Sequence, residues 1–195
     1  MGIPLTPTSG GGQCIGTGAL RPADIIVSTT AAGISRTIRF ATSSVVSHAM
    51  LYAGNDNVIE AIGEGVVRRT LRLATSHATL AVAYRHRNVT ADVGASIVRY
   101  AEQFIGRDYD AAGAAGAGIA DNGVICVAVG IVPCLAARAG AFNSRDDFYC
   151  SELVLEAFRL GGVPILDAAP SMSTPQHLVS AHSSGKLQYV GHVVA

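Results

Sequence analysis

Charge is scarce in this sequence. Of its 195 residues only 14% are Asp, Glu, Lys or Arg, and 14 basic and 14 acidic side chains cancel to a formal net charge of zero. A nucleic-acid binder carries a basic patch, and a protein docked on anionic lipid carries a basic tract. Neither is present, so nucleic acid is not an expected partner. Cysteine is sparse as well. Cys14, Cys126, Cys134 and Cys150 are widely and unevenly spaced, with no Cys-x-x-Cys pair and no histidine cluster. That argues against a zinc centre and against a disulfide framework. The opening stretch, MGIPLTPTSGGGQC, has neither the basic n-region nor the apolar h-region of a secretory leader. Synthesis in the cytoplasm without a signal peptide is the expectation. A Met-Gly start is present, but Thr8 comes too late for the Ser/Thr of a myristoylation signal.

What the chain has in quantity is apolar surface. Hydrophobic residues make up 49% of it, which excludes disorder and suits one domain with a real core. Residues 1–19, rich in Gly, Pro, Ser and Thr, read as a loose arm. Residues 20–195 read as a single domain. Within it, residues 111–142 are dominated by Ala, Gly, Val and Ile, and the uncharged run 122–137 is 16 residues long. A spanning helix needs about 20. One or two buried helices, or a hairpin facing a membrane or partner, are both open readings.

Ile25-Ile26-Val27 is a β-branched run, and the spacing in 34–42 predicts a short amphipathic helix. Residues 45–53 read as a strand and Gly54-Asn55-Asp56-Asn57 as a turn. Val58-Ile59-Glu60-Ala61-Ile62 is the returning strand, residues 65–70 begin another, and 79–84 make a further one. The pattern is a hairpin-built antiparallel sheet of five or six strands. Residues 92–105 and 146–160 carry apolar stripes at helical spacing, with Ser144 or Asp146 placed to cap the second. The tail holds Thr174-Pro175 and a strand-like Leu187-Gln188-Tyr189-Val190.

Three side chains stand out chemically. Cys150 falls in the first turn of the second helix, where partial positive charge and free N–H groups favour a thiolate and would bind an oxyanion. A buried structural cysteine is the competing reading. His48 lies in an apolar strand, whereas His77 and His86 have polar neighbours and read as exposed, and His177, His182 and His192 fall in turn-like or terminal segments. Glu60 is a carboxylate in an apolar strand and needs a partner. If an odd number of residues separates the strands, Glu60 shares a sheet face with His48 and orients its ring; a four-residue loop puts them on opposite faces. Glu64, between glycines, is the fallback.

Taken together, these segments resemble the circularly permuted branch of the NlpC/P60 papain-like superfamily, which contains the YiiX-like hydrolases and, more distantly, lecithin retinol acyltransferase-like enzymes. The matching pieces run in the family's order. They are Arg21-Pro22-Ala23-Asp24-Ile25-Ile26 (Ala23 standing where Gly is usual), Ser47-His48-Ala49-Met50-Leu51-Tyr52-Ala53-Gly54, and Val58-Ile59-Glu60-Ala61 followed by Gly65-Val66. Then come Gly106-Arg107-Asp108-Tyr109-Asp110, Phe148-Tyr149-Cys150-Ser151-Glu152-Leu153-Val154, and Ser173-Thr174-Pro175-Gln176-His177-Leu178. Residues 111–142 have no counterpart and are read as a lid or substrate wall.

The resemblance implies an α+β papain-like fold, with a central antiparallel sheet packed against the helix that carries the nucleophilic cysteine. It implies Cys150 as nucleophile, His48 as base and Glu60 as the third, polar member. Tyr149 and Ser151 would line the substrate or oxyanion site, and Asp24 and Tyr109 would be structural. No cofactor and no metal is required. The implied reaction is amide cleavage through a thioester, with the stem peptide of peptidoglycan as the leading substrate. An antibacterial effector delivered to the periplasm by a type VI-like secretion apparatus, with an immunity protein as partner, would reconcile that substrate with the missing leader. A lipid-directed thiol acyltransferase that contacts a membrane through 111–142 is one alternative. A non-catalytic binding module, whose Cys150 would show no elevated reactivity, is another.

Overall fold

The computed structural model describes residues 12–30, 46–110 and 148–194. Their elements, in chain order, are β1 (Cys14–Ile15), β2 (Ile25–Thr30), β3 (His48–Gly54), β4 (Asn57–Ile62), β5 (Gly65–Thr70), α1 (Leu71–Ala74), β6 (Ala78–His86), α2 (Ala91–Glu102), α3 (Cys150–Leu160), α4 (Pro175–Ser183) and β7 (Leu187–Val193). The fold is α+β. Seven strands form one sheet in the order β1-β7-β6-β2-β3-β4-β5. Every neighbouring pair is antiparallel except β1–β7.

Strand alternation sorts the apolar residues into two cores. Ile25, Val27, Ala49, Leu51, Ile59, Val82 and Tyr84 pack with Leu153, Val154, Ala157 and Phe158 of α3 and with Ile97 and Ala101 of α2. Ile26, Met50, Tyr52, Val58 and Ala83 point the other way, onto Ile15, Leu20 and Leu71. Both faces of the central strands are therefore buried, which is why β2 and β3 read as nearly continuous apolar runs. Full burial of each large side chain stabilises the fold by about 1.5–3 kcal/mol. The α3 stripe, with Leu153, Val154 and Phe158 all at 0% exposure, thus anchors that helix firmly to the sheet.

The β3–β4 connection sets everything that follows. Asn55 and Asp56 both have positive φ (50° and 56°), the signature of a two-residue primed turn, and Gly54 pairs with Asn57 across it. One step further the register shifts: Tyr52 faces Val58 and Leu51 faces Ile59, with Ala53 as the extra residue. A bulge of this kind inverts the side-chain phase of one strand relative to the other.

Five expectations change. The arm read as loose to residue 19 is tied down at β1, where Cys14 pairs with His192 and Ile15 with Val193. The helix expected over 92–105 ends at Glu102. The one expected from 146 begins at Cys150, with Tyr149 as its N-cap, so neither Ser144 nor Asp146 caps it. The tail gains α4, whose Pro175 stands at a first-turn position and whose Thr174 and His177 form a reciprocal capping box. Pro at the start of a helix is a known preference. The sheet has seven strands rather than five or six because the two-residue β1 joins its edge. The helix expected at 34–42 and the apolar segment 111–142 lie outside the described residues.

Candidate active site

Cys150 is the first residue of α3 and is 6% exposed. Its sulfur therefore sits where the helix dipole is positive and the first N–H groups have no intrahelical acceptor. The segment before and after it is pinned by side chains. The Tyr149 hydroxyl donates to the Pro170 carbonyl (3.1 Å) and accepts from the Ser173 N–H (3.2 Å). The Ser151 hydroxyl donates to the Ser173 carbonyl (2.7 Å). Tyr149 and Ser151, expected as substrate or oxyanion residues, thus spend their hydroxyls on the 170–173 turn. They fix the wall of the site, and the backbone N–H groups of the first turn remain as the donors for an oxyanion.

His48 opens β3, with its side chain 20% exposed. Its Nε2 lies 2.5 Å from Glu60 Oε2, and the ring also hydrogen-bonds the Cys150 side chain. With Nε2 taken by the carboxylate, Nδ1 is the nitrogen left for the sulfur. The bulge at Ala53 explains why the two meet. An unbroken register from Gly54–Asn57 would set Glu60 opposite Leu51, out of phase with His48. The shifted register sets it in phase with Met50 and His48. The condition stated from sequence, an odd separation, is met: five residues lie between Tyr52 and Val58.

Glu60 has no exposed surface. It divides its two oxygens, Oε2 to His48 and Oε1 to the Nε of Arg69 on β5. Burial alone would raise its pKa, but the hydrogen bonds and charges of His48 and Arg69 outweigh burial and hold the carboxyl below its ordinary range. For His48 the balance runs the same way. Burial opposes the charged ring, yet hydrogen bonding and electrostatic interaction with Cys150 and Glu60 raise it from 6.5 to about 10. Near neutral pH the ring is an imidazolium set between a carboxylate and the Cys150 sulfur. Arg69 was missed from sequence, where Arg68-Arg69 read only as strand. The available signal was the carboxylate itself, which in an apolar strand needs more than one partner.

Tyr109 forms a parallel bridge with Phe148. Burial, the charge at Cys150 and Asp110 all push its phenol upward, so a protonated hydroxyl stands in the field of the sulfur. Asp24 is buried against Arg85 on β6, with bonds of 2.7 Å and 2.6 Å. His86, expected to be exposed, is 6% exposed. Its Nδ1 accepts from the Asn88 N–H (3.2 Å), its ring lies 5.9 Å from that of Phe158, and burial followed by the Lys186 charge lowers its pKa. His177 serves as a helix cap, its Nδ1 accepting from the Thr174 N–H at 2.9 Å. Neither joins Cys150.

The architecture has a counterpart among solved structures. The chain superposes on the metalloprotein YiiX from Escherichia coli O157:H7 with a TM-score of 0.55, covering 90% of this chain and 88% of that one at 19% identity. This chain has the fold of that YiiX protein. In sequence, this chain is 27% identical over 196 residues to the probable lipoprotein peptidase YaeF of Escherichia coli (strain K12), covering 89% of this chain and 71% of YaeF. No family model matches it. The solved relative is described as a metalloprotein. Among the described residues of this chain, no group of three or more His, Cys, Asp or Glu side chains is placed to hold a metal ion. Nor is any helix among them long and apolar enough to cross a membrane.

Proposed function

We propose that this protein is a cysteine hydrolase that cleaves an amide bond through a thioester. The observation that carries the reading is the line Cys150–His48–Glu60, a thiol at a helix N-terminus joined to an imidazole that a fully buried carboxylate orients. The likeness to a probable peptidase supports the broader class of hydrolase.

In this scheme the Cys150 thiolate attacks the acyl carbon, and the carbonyl electron pair moves to oxygen. N–H groups of the first turn of α3 stabilise that oxyanion. As the tetrahedral intermediate collapses, the C–N bond breaks, and the His48 imidazolium gives its Nδ1 proton to the leaving amine. The neutral imidazole then takes a proton from water, whose oxygen attacks the thioester. The second collapse releases the acid and restores thiolate and imidazolium. Glu60 keeps the ring in place and favours its charged form, without itself taking the proton.

The substrate class we favour is the stem peptide of peptidoglycan, on the strength of the superfamily resemblance. The effector role and its immunity partner stand or fall with that substrate. The test is to incubate purified sacculi with wild type, Cys150→Ala and His48→Ala and to weigh the soluble products. Stem-peptide fragments released by wild type alone are expected, and their masses identify the bond. If wild type releases nothing from sacculi but hydrolyses an activated acyl ester with a Cys150-dependent burst, the wall is the wrong substrate and the hydrolase reading survives. Ester hydrolysis undiminished in Cys150→Ala would end the reading altogether.

A further inference from the structure

Glu60 has two cationic partners, and only one belongs to the triad. Arg69 reaches it from β5. Val58 faces Arg69 and Glu60 faces Val67, so the arginine lies diagonal to the carboxylate, within the span of a long side chain. Glu60 is fully buried, whereas Arg69 keeps 30% of its side chain exposed.

Counting charges shows what the arginine contributes. A thiolate, an imidazolium and a carboxylate sum to one negative charge, at a place where Glu60 has no contact with water. The Arg69 guanidinium brings the sum to zero. Without it the surplus is most cheaply removed by taking up a proton: on the sulfur this ends the thiolate–imidazolium pair, and on Glu60 it removes the negative charge that holds His48 in its imidazolium form. Geometry adds to the effect. With Oε1 tied to Arg69, the carboxylate cannot rotate, and Oε2 stays aimed at His48 Nε2.

We infer that Arg69 is a positioning residue of this site, acting through Glu60 to keep His48 charged and Cys150 ionised. The inference rests on the cysteine-hydrolase reading. Its neighbour Arg68 provides the contrast: it pairs with Glu102 of α2 at 2.6 Å, with both side chains more than a third exposed, and serves only to fasten β5 to that helix.

The test needs no substrate. The rate of Cys150 alkylation by iodoacetamide is followed against pH for wild type and variants. Arg69→Ala is expected to move the acid-side midpoint upward by about one pH unit and to slow alkylation below it about tenfold, as a lost unit charge at this range predicts. Arg69→Lys should recover most of that shift, and Arg68→Ala should overlay wild type. In a Glu60→Gln background, where Arg69 has no carboxylate to hold, Arg69→Ala should produce a smaller shift than in wild type. A folded Arg69→Ala protein with the wild-type profile overturns the inference. Should Arg69→Ala fail to fold, Arg69→Gln decides: an upward shift supports the role, and the wild-type profile refutes it. The underlying reading fails in a different way. If His48→Ala keeps the wild-type profile, His48 does not ionise Cys150, whatever Arg69 does.

Discussion

Two buried carboxylates in this sheet are each paired with an arginine, and they do different work. Asp24 precedes β2 and faces Arg85 on β6, continuing the Ile25–Tyr84 register. Both its oxygens go to the guanidinium, one also accepts the Arg21 N–H (2.8 Å), and Arg85 closes the knot by donating to the Ala19 carbonyl (3.0 Å). Every partner is framework. Glu60 gives one oxygen to Arg69 and the other to His48, whose ring is partly exposed and reaches the thiol. A buried ion pair that closes on itself secures chain segments. One that shares its acid with a partly exposed imidazole sets that imidazole's charge, and the difference lies in one oxygen atom.

The sharpest way to break the symmetry is to neutralise each acid in turn. Glu60→Gln should lower kcat by about 10²- to 10⁴-fold with the fold retained, since it removes the group that orients and charges the base. Asp24→Asn should leave kcat within about twofold but cost about 3 kcal/mol of stability, because it strands a largely buried Arg85. Denaturant unfolding alongside steady-state kinetics reads both. If the two substitutions have the same effect, the distinction is wrong.

pH sharpens the contrast further. His48 sits at about 10 in the fold against 6.5 unfolded, so its contribution to stability is complete below 6.5 and is lost as pH rises through about 10. Glu60 is shifted down from 4.5, so its contribution is complete above 4.5 and is lost as pH falls through its folded value. The stability difference between wild type and His48→Ala should therefore be greatest between these ordinary values and shrink toward pH 10. Thermal unfolding across that range is the check. Activity should fall on the same alkaline limb, as the imidazolium that protonates the leaving amine disappears.

The smallest effect concerns the Asp24 side of the comparison. Ala23, just before the acid, holds φ at 70° while 2% exposed. A left-handed alanine costs about 1–2 kcal/mol, and Ala23→Gly relieves that at the expense of about 0.4–1 kcal/mol of unfolded-chain entropy. A gain of up to about 1.5 kcal/mol is expected, with no change in kcat. A loss would mean the alanine methyl packs better than its backbone is strained.

Much of this was legible in the order of residues. Short apolar runs announced β2 to β6, the Asn-Asp turn announced the β3–β4 hairpin, and the stripe from Leu153 to Leu160 announced α3 with Cys150 at its mouth. Cys150, His48 and Glu60 were candidates because a thiol at a helix start, an imidazole in an apolar strand and a carboxylate in another each break a local rule. Tyr149 and Ser151 could be named as neighbours of the sulfur but not given their task, since their hydroxyl partners at Pro170 and Ser173 lie some twenty residues downstream. The helix α4 was lost because a Thr-Pro step fits a turn as well as a helix start.

By itself the sequence determined that β2 to β7, α2 and α3 would form, and which three side chains were chemically out of place. Whether they meet was decided by tertiary structure. A two-residue turn alone would have put Glu60 out of phase with His48, and one extra residue at Ala53 reverses that. Local residue preferences allow the turn with or without the bulge. The choice is made by the two apolar faces that the rest of the chain buries, and by the ion pair that a cross-strand arginine completes.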